Sequence, residues 1–98
     1  MNLQDNINKF MNVINNKDSK YIVICGDVRG FDFGVSLTDI DINIINDKLN
    51  IKGNKLELNI YLHDIERSSF EYKKHDSLEL YDLKIKINDG LILLSYSK

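Results

Sequence analysis

The sequence predicts an α+β domain in which one N-terminal amphipathic helix packs on a curved antiparallel sheet of about 5–7 strands. Three observations point to this fold class. Apolar residues recur at helical spacing near the N-terminus, residues 39–62 alternate between apolar and polar, and residues 83–97 have the pattern of a hairpin. A chain of 98 residues has no room for a second independent core, so we expect residues 1–98 to form a single domain.

The helix is predicted over residues 3–17. Its apolar side chains lie three or four positions apart, which places them on one stripe and favours packing against the core over binding a partner. They are Leu3, Ile7, Phe10, Met11 and Ile14. Asn2 is the predicted N-cap, because its side-chain oxygen can accept a hydrogen bond from a free backbone N–H of the first turn.

The segment after the helix combines a strand with a glycine-rich loop. Residues 20–25 are apolar on both faces, as is typical of a strand in the interior of a sheet. Residues 26–34 carry glycine at every fourth position and are predicted to be a loop. The loop has neither the phosphate-binding pattern Gly-x-x-x-x-Gly-Lys-Ser/Thr nor the dinucleotide pattern Gly-x-Gly-x-x-Gly, so we do not assign it to phosphate binding.

Residues 39–62 are predicted to form a three-stranded meander with two-residue turns at Asn46-Asp47 and Gly53-Asn54. These turns place the apolar side chains of all three strands on one face and the polar side chains on the other. The predicted pairs are Ile44 with Leu49, Ile42 with Ile51, Ile51 with Leu56, and Leu49 with Leu58. A register error of one residue would mix the two faces, so the alternation supports this arrangement.

The C-terminal part is predicted to contain a short strand around Phe70 and Tyr72 and then a hairpin over residues 83–97. The predicted turn is Asp89-Gly90. It pairs Ile87 with Ile92 and Ile85 with Leu94. The apolar positions before and after Tyr81-Asp82 alternate out of phase, which predicts a bulge or a break near these residues.

The last strand, residues 91–96, is apolar on both sides. Such a strand is buried on both faces, or it leaves one apolar face for a partner. The C-terminal strand is therefore the predicted contact of a candidate homodimer.

Charge and composition narrow the function classes. The 13 basic and 15 acidic residues give a net charge of −2, and only Arg29 and Arg67 are arginines. Proteins that bind nucleic acid directly present a basic excess rich in arginine, so we do not expect this activity. No apolar stretch approaches the ~18 residues of a membrane helix and the N-terminus lacks a signal pattern, so we expect a cytoplasmic protein without membrane contact.

The glycine-rich loop is the candidate partner-binding site. Two aromatic side chains and an arginine between glycines resemble the composition of a binding hot spot. The candidate residues are Asp27, Arg29, Phe31, Asp32 and Phe33. Two alternatives remain for this segment: a plain connector, or a loop that folds back over one end of the core.

Asp39-x-Asp41-x-Asn43 matches the opening of a calcium-binding EF-hand loop. The match ends there, because the sixth position is Ile44 instead of glycine and the twelfth is Asn50 instead of glutamate. On the predicted meander these side chains form the solvent face of a strand. We therefore predict no metal site and no cofactor, and keep Asp39 and Asp41 only as candidates for the hypothesis of a metal-dependent enzyme.

No catalytic residue is predicted. The only histidines, His63 and His75, lie in polar segments and do not form a spaced pair of zinc ligands. Ser68 or Ser69 with His75 and Asp76 would make a hydrolytic triad, but no Gly-x-Ser-x-Gly elbow is present. We therefore expect a protein that is not an enzyme.

The leading hypothesis is a small inhibitor that binds another protein, of host or toxin type, and blocks it sterically. The abundance of Ile, Asn and Lys and the absence of Pro indicate an A/T-rich genome, so we expect a low-GC bacterium or its phage. An anti-defence inhibitor or an immunity protein fits this description. Its contact surface would be the polar face of the meander or the loop from Arg29 to Phe33.

The alternative is a module that binds a small nucleotide-like ligand in a pocket that an oligomer interface helps to form. Arg29, Tyr61 and His63 are the candidate lining residues. The third hypothesis is the metal-dependent enzyme that uses Asp39 and Asp41.

Overall fold

The computed structural model describes residues 2–15 and 21–97 and confirms the α+β class. One helix is followed by eight strands and one short 3-10 turn, so the strands outnumber the 5–7 that the sequence predicts. The elements are α1 (Leu3–Asn15), β1 (Ile22–Val28), β2 (Phe31–Leu37), β3 (Asp41–Ile45), β4 (Lys48–Lys52), β5 (Glu57–Tyr61), the 3-10 turn Leu62–Asp64, β6 (Ile65–His75), β7 (Leu78–Ile87) and β8 (Gly90–Ser97).

The strands form two antiparallel sheets. The large sheet has the order β2-β1-β8-β7-β6, and the small sheet has the order β3-β4-β5. The chain passes from one sheet to the other between Thr38 and Ile40, where Asp39 adopts a positive φ of 57°. Thr38 is held there by Asn54, whose side-chain Oδ1 accepts the Thr38 backbone N–H at 3.0 Å. The predicted meander is thus a separate sheet, because this turn redirects the chain away from β2.

The core lies between the inner face of the large sheet and a cover formed by α1 and the small sheet. The predicted helix stripe faces this core, with Ile7 and Phe10 fully buried and Leu3, Met11 and Ile14 packed beside them. The Asp5 backbone N–H donates to Asn2 Oδ1 at 2.8 Å, which confirms the predicted N-cap. The predicted helix end at residues 16–17 lies outside the described residues.

The meander is confirmed, with one register corrected. Asn46-Asp47 is a two-residue turn, and Ile44 pairs with Leu49 as predicted. The second turn spans the four residues 53–56, so the predicted two-residue turn Gly53-Asn54 is wrong. Its actual pairs are Ile51 with Leu58 and Leu49 with Ile60. The shift amounts to two residues, so every side chain keeps its predicted face.

The C-terminal hairpin is present with a similar shift of two residues. Its turn is Asn88-Asp89 instead of Asp89-Gly90. The pairs are Ile87 with Gly90, Ile85 with Ile92, and Leu83 with Leu94. The predicted bulge at Tyr81-Asp82 is wrong, because β7 is continuous and the irregular pairing lies between Ile65 and Arg67. Leu78 and Leu80 are out of phase with the later apolar residues of β7 because their side chains point to the outer face of the large sheet, whereas those of the later residues point to the core.

Two segments predicted as mainly irregular are strands. Residues 26–34 form the end of β1, a two-residue turn and the start of β2 instead of a loop. Arg29 and Gly30 both have positive φ, 53° and 83°, as in the type I′ turns that fit the twist of a hairpin. Residues 65–75 form the eleven-residue strand β6 instead of a short strand. In both cases cross-strand pairing overrides the polar or glycine-rich local sequence.

Candidate functional site

The five predicted partner-binding residues lie at one end of the β1–β2 hairpin but not on one surface. Asp27 and Asp32 are directly opposite each other in the strand register. Their side chains point to the outer face of the large sheet, away from α1 and the small sheet, because they alternate with the inward-facing positions of β1 and β2. Phe31 and Phe33 have the opposite parity and point to the inner side.

Arg29 has a structural role at the turn. Its backbone N–H donates to the Asp89 carbonyl oxygen at 2.9 Å. Its Nε donates to Asp89 Oδ2 at 3.0 Å, and its Nη2 lies 2.9 Å from the same oxygen. These contacts join the β1–β2 turn to the neighbouring β7–β8 turn and offset the cost of a positive φ at a residue other than glycine.

The two phenylalanines differ in exposure. Phe31 is 78% exposed at the hairpin tip, whereas Phe33 is half-buried and packs against the core. The Phe33 ring lies across Gly26, where a Cβ atom would overlap it. Phe33 therefore folds back over the core, which was one of the alternatives for this segment, and Phe31 remains available at the surface.

The outer face of the large sheet carries an apolar patch formed by β1 and β8. We call this set the outer patch: Val23, Cys25, Leu91 and Leu93. Val23 is 40% and Leu91 is 41% exposed, and Cys25 and Leu93 are half-buried. No described helix or strand packs on this face, so the patch is open to solvent within the part of the chain that the structure describes.

Three members of the outer patch and the two carboxylates line the same surface depression. Its volume is about 340 Å³, and Cys25, Leu91 and Leu93 lie beside Asp27 and Asp32 in its lining. Among the described residues, no cation lies within ion-pair distance of either carboxylate. The depression thus combines an apolar surface with two exposed negative charges that the described chain does not neutralise.

The lysines on the other half of the outer face are already paired. Lys84 and Lys86 lie opposite Leu93 and Leu91 in the register. The Lys84 Nζ is 3.4 Å from Glu71, and the Lys86 Nζ is 3.2 Å from Glu66. The hydrogen bond and charge of Lys84 lower the pKa of Glu71 from its ordinary value of 4.5. Neither lysine forms an ion pair with Asp27 or Asp32.

A second concave region lies on the inner side, between the ends of the two sheets. This cleft has a volume of about 460 Å³. Its lining includes Val28, Arg29, Phe33, Leu58, Asn59, Ile60, Tyr61, Asp64, Ile87, Asn88, Asp89 and Ile92. Arg29 and Tyr61, two candidates for a ligand pocket, are thus brought together. The third, His63, stacks on Tyr61 with ring centroids 5.3 Å apart.

The metal and catalytic candidates do not assemble into a site. Asp41 is exposed on β3, and Asp39 occupies the turn before it. No group of three His, Cys, Asp or Glu side chains within residues 2–15 and 21–97 could hold a metal ion. Ser68 Oγ accepts a hydrogen bond from Asn6, while His75 lies seven residues further along β6, ~23 Å away at ~3.3 Å per residue.

Sequence reasoning identified the apolar last strand as a candidate partner contact but missed that Val23 and Cys25 extend the same surface. The sequence did not show which strand lies beside β8. Only the pairing of β1 with β8 brings Val23 and Cys25 beside Leu93. β8 itself is paired on both edges, so its outer face is the part that a second copy could contact.

Comparisons of the chain with protein families, with curated proteins and with solved structures find no match. Within the described ranges, no helix has the length and apolar character needed to cross a bilayer.

Proposed function

We propose that this chain binds another protein through the depression on its outer face and blocks that protein sterically. The observation that carries the proposal is the depression itself, in which Leu91 and Leu93 lie next to Asp27 and Asp32. Protein interfaces combine an apolar centre, from which water is excluded, with polar groups at the rim. The partner would place an apolar side chain on the outer patch and a lysine or arginine between the two carboxylates.

The charge arrangement supports a partner rather than a purely structural use of this face. Like charges directly opposite each other in a sheet are destabilising, and here both members of the pair are exposed. A cation from a partner would relieve this repulsion. The exposed side chains of Val23 and Leu91 would lose contact with water in the same complex, which adds a hydrophobic contribution.

A nucleic-acid enzyme is the type of partner whose chemistry fits these groups. Surfaces that bind DNA or RNA are basic because they neutralise phosphates. Asp27 and Asp32 would occupy such a surface in place of phosphate groups. An inhibitor of a host nuclease, or an immunity protein against a nuclease toxin, would act in this way.

The test is affinity capture from a low-GC bacterial lysate with the native chain and two leucine variants. Leu91→Glu places a charge on the outer patch. Leu78→Glu is the matched control, because Leu78 is 44% exposed on the same face but ~26 Å further along the sheet at ~3.3 Å per residue. We expect a stoichiometric partner that the native chain and the control retain and that Leu91→Glu loses.

A further variant tests the charges. Asp27→Asn combined with Asp32→Asn should weaken capture at low salt and reduce its salt dependence, because screened attraction is lost. The proposed surface would be contradicted if Leu91→Glu still captured the partner. It would also be contradicted if both leucine variants lost the partner. Absence of any captured protein would count against the binding function itself.

A second candidate function is the binding of a small nucleotide-like ligand in the inner cleft. The specific observation is that Arg29 and Tyr61 line one cleft whose volume, about 460 Å³, is that of a small-molecule site. The test is thermal stabilisation by a panel of nucleotides. Tyr61→Ala should abolish stabilisation, whereas Tyr72→Ala, at the same 49% exposure on another strand, should not.

A further inference from the structure

The free edge of β2 carries an inference that is independent of the proposed partner. β2 is an edge strand of the large sheet and pairs only with β1 among the described elements. We propose that two copies of this chain pair through β2 in antiparallel fashion, so that their large sheets join across a two-fold axis at Gly34.

The hairpin geometry determines which backbone groups face this edge. Val28 and Phe31 flank the two-residue turn, and such a pair exchanges both of its hydrogen bonds within the hairpin. Hydrogen bonding alternates along an antiparallel strand. Asp32, Gly34 and Ser36 therefore direct their backbone N–H and C=O groups away from β1, towards the free edge.

One register brings all three of these residues into pairing with a second copy. Centred on Gly34, it places Asp32 opposite Ser36 of the second copy, Gly34 opposite Gly34, and Ser36 opposite Asp32. Each pair exchanges two N–H···O bonds. The two Asp32 side chains are kept apart, and each lies opposite a hydroxyl group that can donate to it.

The same register places the most exposed of the described aromatic side chains at the junction. Phe31, which is 78% exposed, comes to lie opposite Leu37 of the second copy, whose own side chain is fully buried in its core. Phe33 lies opposite Val35. Apolar residues thus face apolar residues on the inner side of the junction, while the outer side carries only Asp, Gly and Ser. Aromatic and aliphatic cross-strand neighbours of this kind stabilise a sheet.

The two edges of the large sheet differ in their protection against such pairing. Edge strands of monomeric proteins are protected by charged side chains, bulges or proline. β6, the other edge, has an irregularity between Ile65 and Arg67 and carries charges along its length. These are Glu66, Arg67, Glu71, Lys73 and Lys74. β2 has Asp32 as its only charged residue, and its pairing with β1 is regular.

Gly34 is a second indication that β2 pairs with another copy of the chain. A glycine inside a strand is destabilising relative to alanine, so its presence needs a cause. A Cβ atom on Gly34 would meet nothing within 4 Å, so no contact inside the described chain requires glycine here. Glycine within a strand often marks the close approach of another backbone, which is the position that Gly34 has on the proposed axis.

The proposed dimer has a consequence for partner binding. Residues opposite each other in an antiparallel pair point to the same face, so the two outer faces lie on the same side of the joined sheet. Two five-stranded sheets would form one of ten strands with both depressions on one surface. The two depressions could then engage a two-fold symmetric partner together.

The test is the mass of the chain in solution, measured by sedimentation across a range of protein concentrations. The native chain should have twice the mass of a single chain. Gly34→Lys should be monomeric, because it places two like charges opposite each other on the axis while the folded chain has space for the side chain. Gly34→Ala adds a Cβ without a charge and should weaken the dimer less than Gly34→Lys does, because only the close approach of the two backbones is disturbed.

Backbone amide exchange supplies a second measurement. The amides of Asp32, Gly34 and Ser36 should be protected in the native chain and should become unprotected in a folded Gly34→Lys monomer. The Leu91→Glu variant should remain dimeric, which separates this proposal from the function of the outer patch.

Three results would overturn the proposal. The first is a native chain that stays monomeric at its highest soluble concentration. The second is a dimer that Leu91→Glu dissociates and Gly34→Lys does not, since that dimer would form through the outer face of β8. The third is protection of the three amides only when another protein is added, which would assign the edge to a strand of that protein.

Discussion

Asp27 and Asp32 illustrate how single residues determine the chemistry of the outer face. Each carboxylate is exposed, and the register places them opposite each other next to Leu91. The nearby lysines are held by Glu66 and Glu71 instead. The negative charge at this end of the sheet therefore results from how the charges are distributed, since the whole chain is close to neutral with a net charge of −2.

Glu71 gives a prediction for pH dependence. Its pKa is lowered first by the hydrogen bond from Lys84 and then by the charge of Lys84, with a smaller contribution from Lys73. A carboxyl group whose pKa is lower in the folded state stabilises the fold above its ordinary value of 4.5. This stabilisation is lost as the pH falls through the lowered pKa.

Lys84→Met should raise the titration midpoint of the Glu71 carboxyl towards 4.5, as measured by carbon NMR of the side chain. Lys73→Met is the control and should raise the midpoint less, because Lys73 contributes less to the shift. An unchanged midpoint in Lys84→Met would show that this lysine does not hold Glu71 in solution.

At the scale of elements, a buried polar contact joins the helix to the large sheet. Asn6 is 2% exposed and lies on the core side of α1. Its Nδ2 donates to Ser68 Oγ on β6 at 2.8 Å. A buried amide without an acceptor would be costly, so this contact determines how α1 can be placed along β6.

Ser68→Ala should therefore lower the free energy of unfolding by about 1–3 kcal/mol, because it leaves the Asn6 amide without its acceptor. Ser69→Ala is the matched control. Ser69 is the next residue of β6 and points to the outer face, so its replacement should change stability by less than about 0.5 kcal/mol. Urea denaturation of the two variants measures both effects, and equal losses would contradict the role assigned to Ser68.

At the scale of the whole molecule, the two sheets contribute unequally to the core. The large sheet supplies most of the buried apolar side chains of the core. They are Ile22, Ile24, Leu37, Leu83, Ile85, Ile87, Ile92, Leu94 and Tyr96. The small sheet supplies Ile42, Leu49 and Ile51, from strands of only five residues each. Less burial per strand predicts that the small sheet opens before the large one.

Native-state hydrogen exchange in low concentrations of denaturant can measure this difference. The amides of β4 should exchange through an opening of lower free energy than those of β8, which lies at the centre of the large sheet. If the two strands exchange with the same free energy of opening, the domain unfolds as one cooperative unit and this prediction is wrong.

The alternation patterns made a large part of the fold predictable. The α+β class, the helix stripe around Ile7 and Phe10, and the apolar face of the meander all follow from periodicities of 3.6 and 2. The two turn registers were wrong by two residues, at Gly53-Asn54 and Asp89-Gly90. A shift of two leaves every side chain on the same face, so the pattern of apolar residues alone could not detect it.

The candidate site was less predictable than the fold. The glycine-rich segment points to Asp27, Phe31 and Asp32, but the sequence leaves open whether its two phenylalanines fold back over the core, and only Phe33 does. The outer patch depends on β1 pairing with β8, which lies more than sixty residues away in the chain. Local propensity carries no information about such a pairing, because its energy comes from contacts between distant strands.

The amino-acid sequence by itself determined which faces of the helix and of the meander are buried and where the helix begins, because periodic burial and capping act over a few neighbouring residues. Tertiary structure alone decided that the strands form two sheets, that β8 is central, and that β2 has a free edge. Those features depend on which strands pair across long separations, and only the packed core selects among the pairings that the local pattern allows.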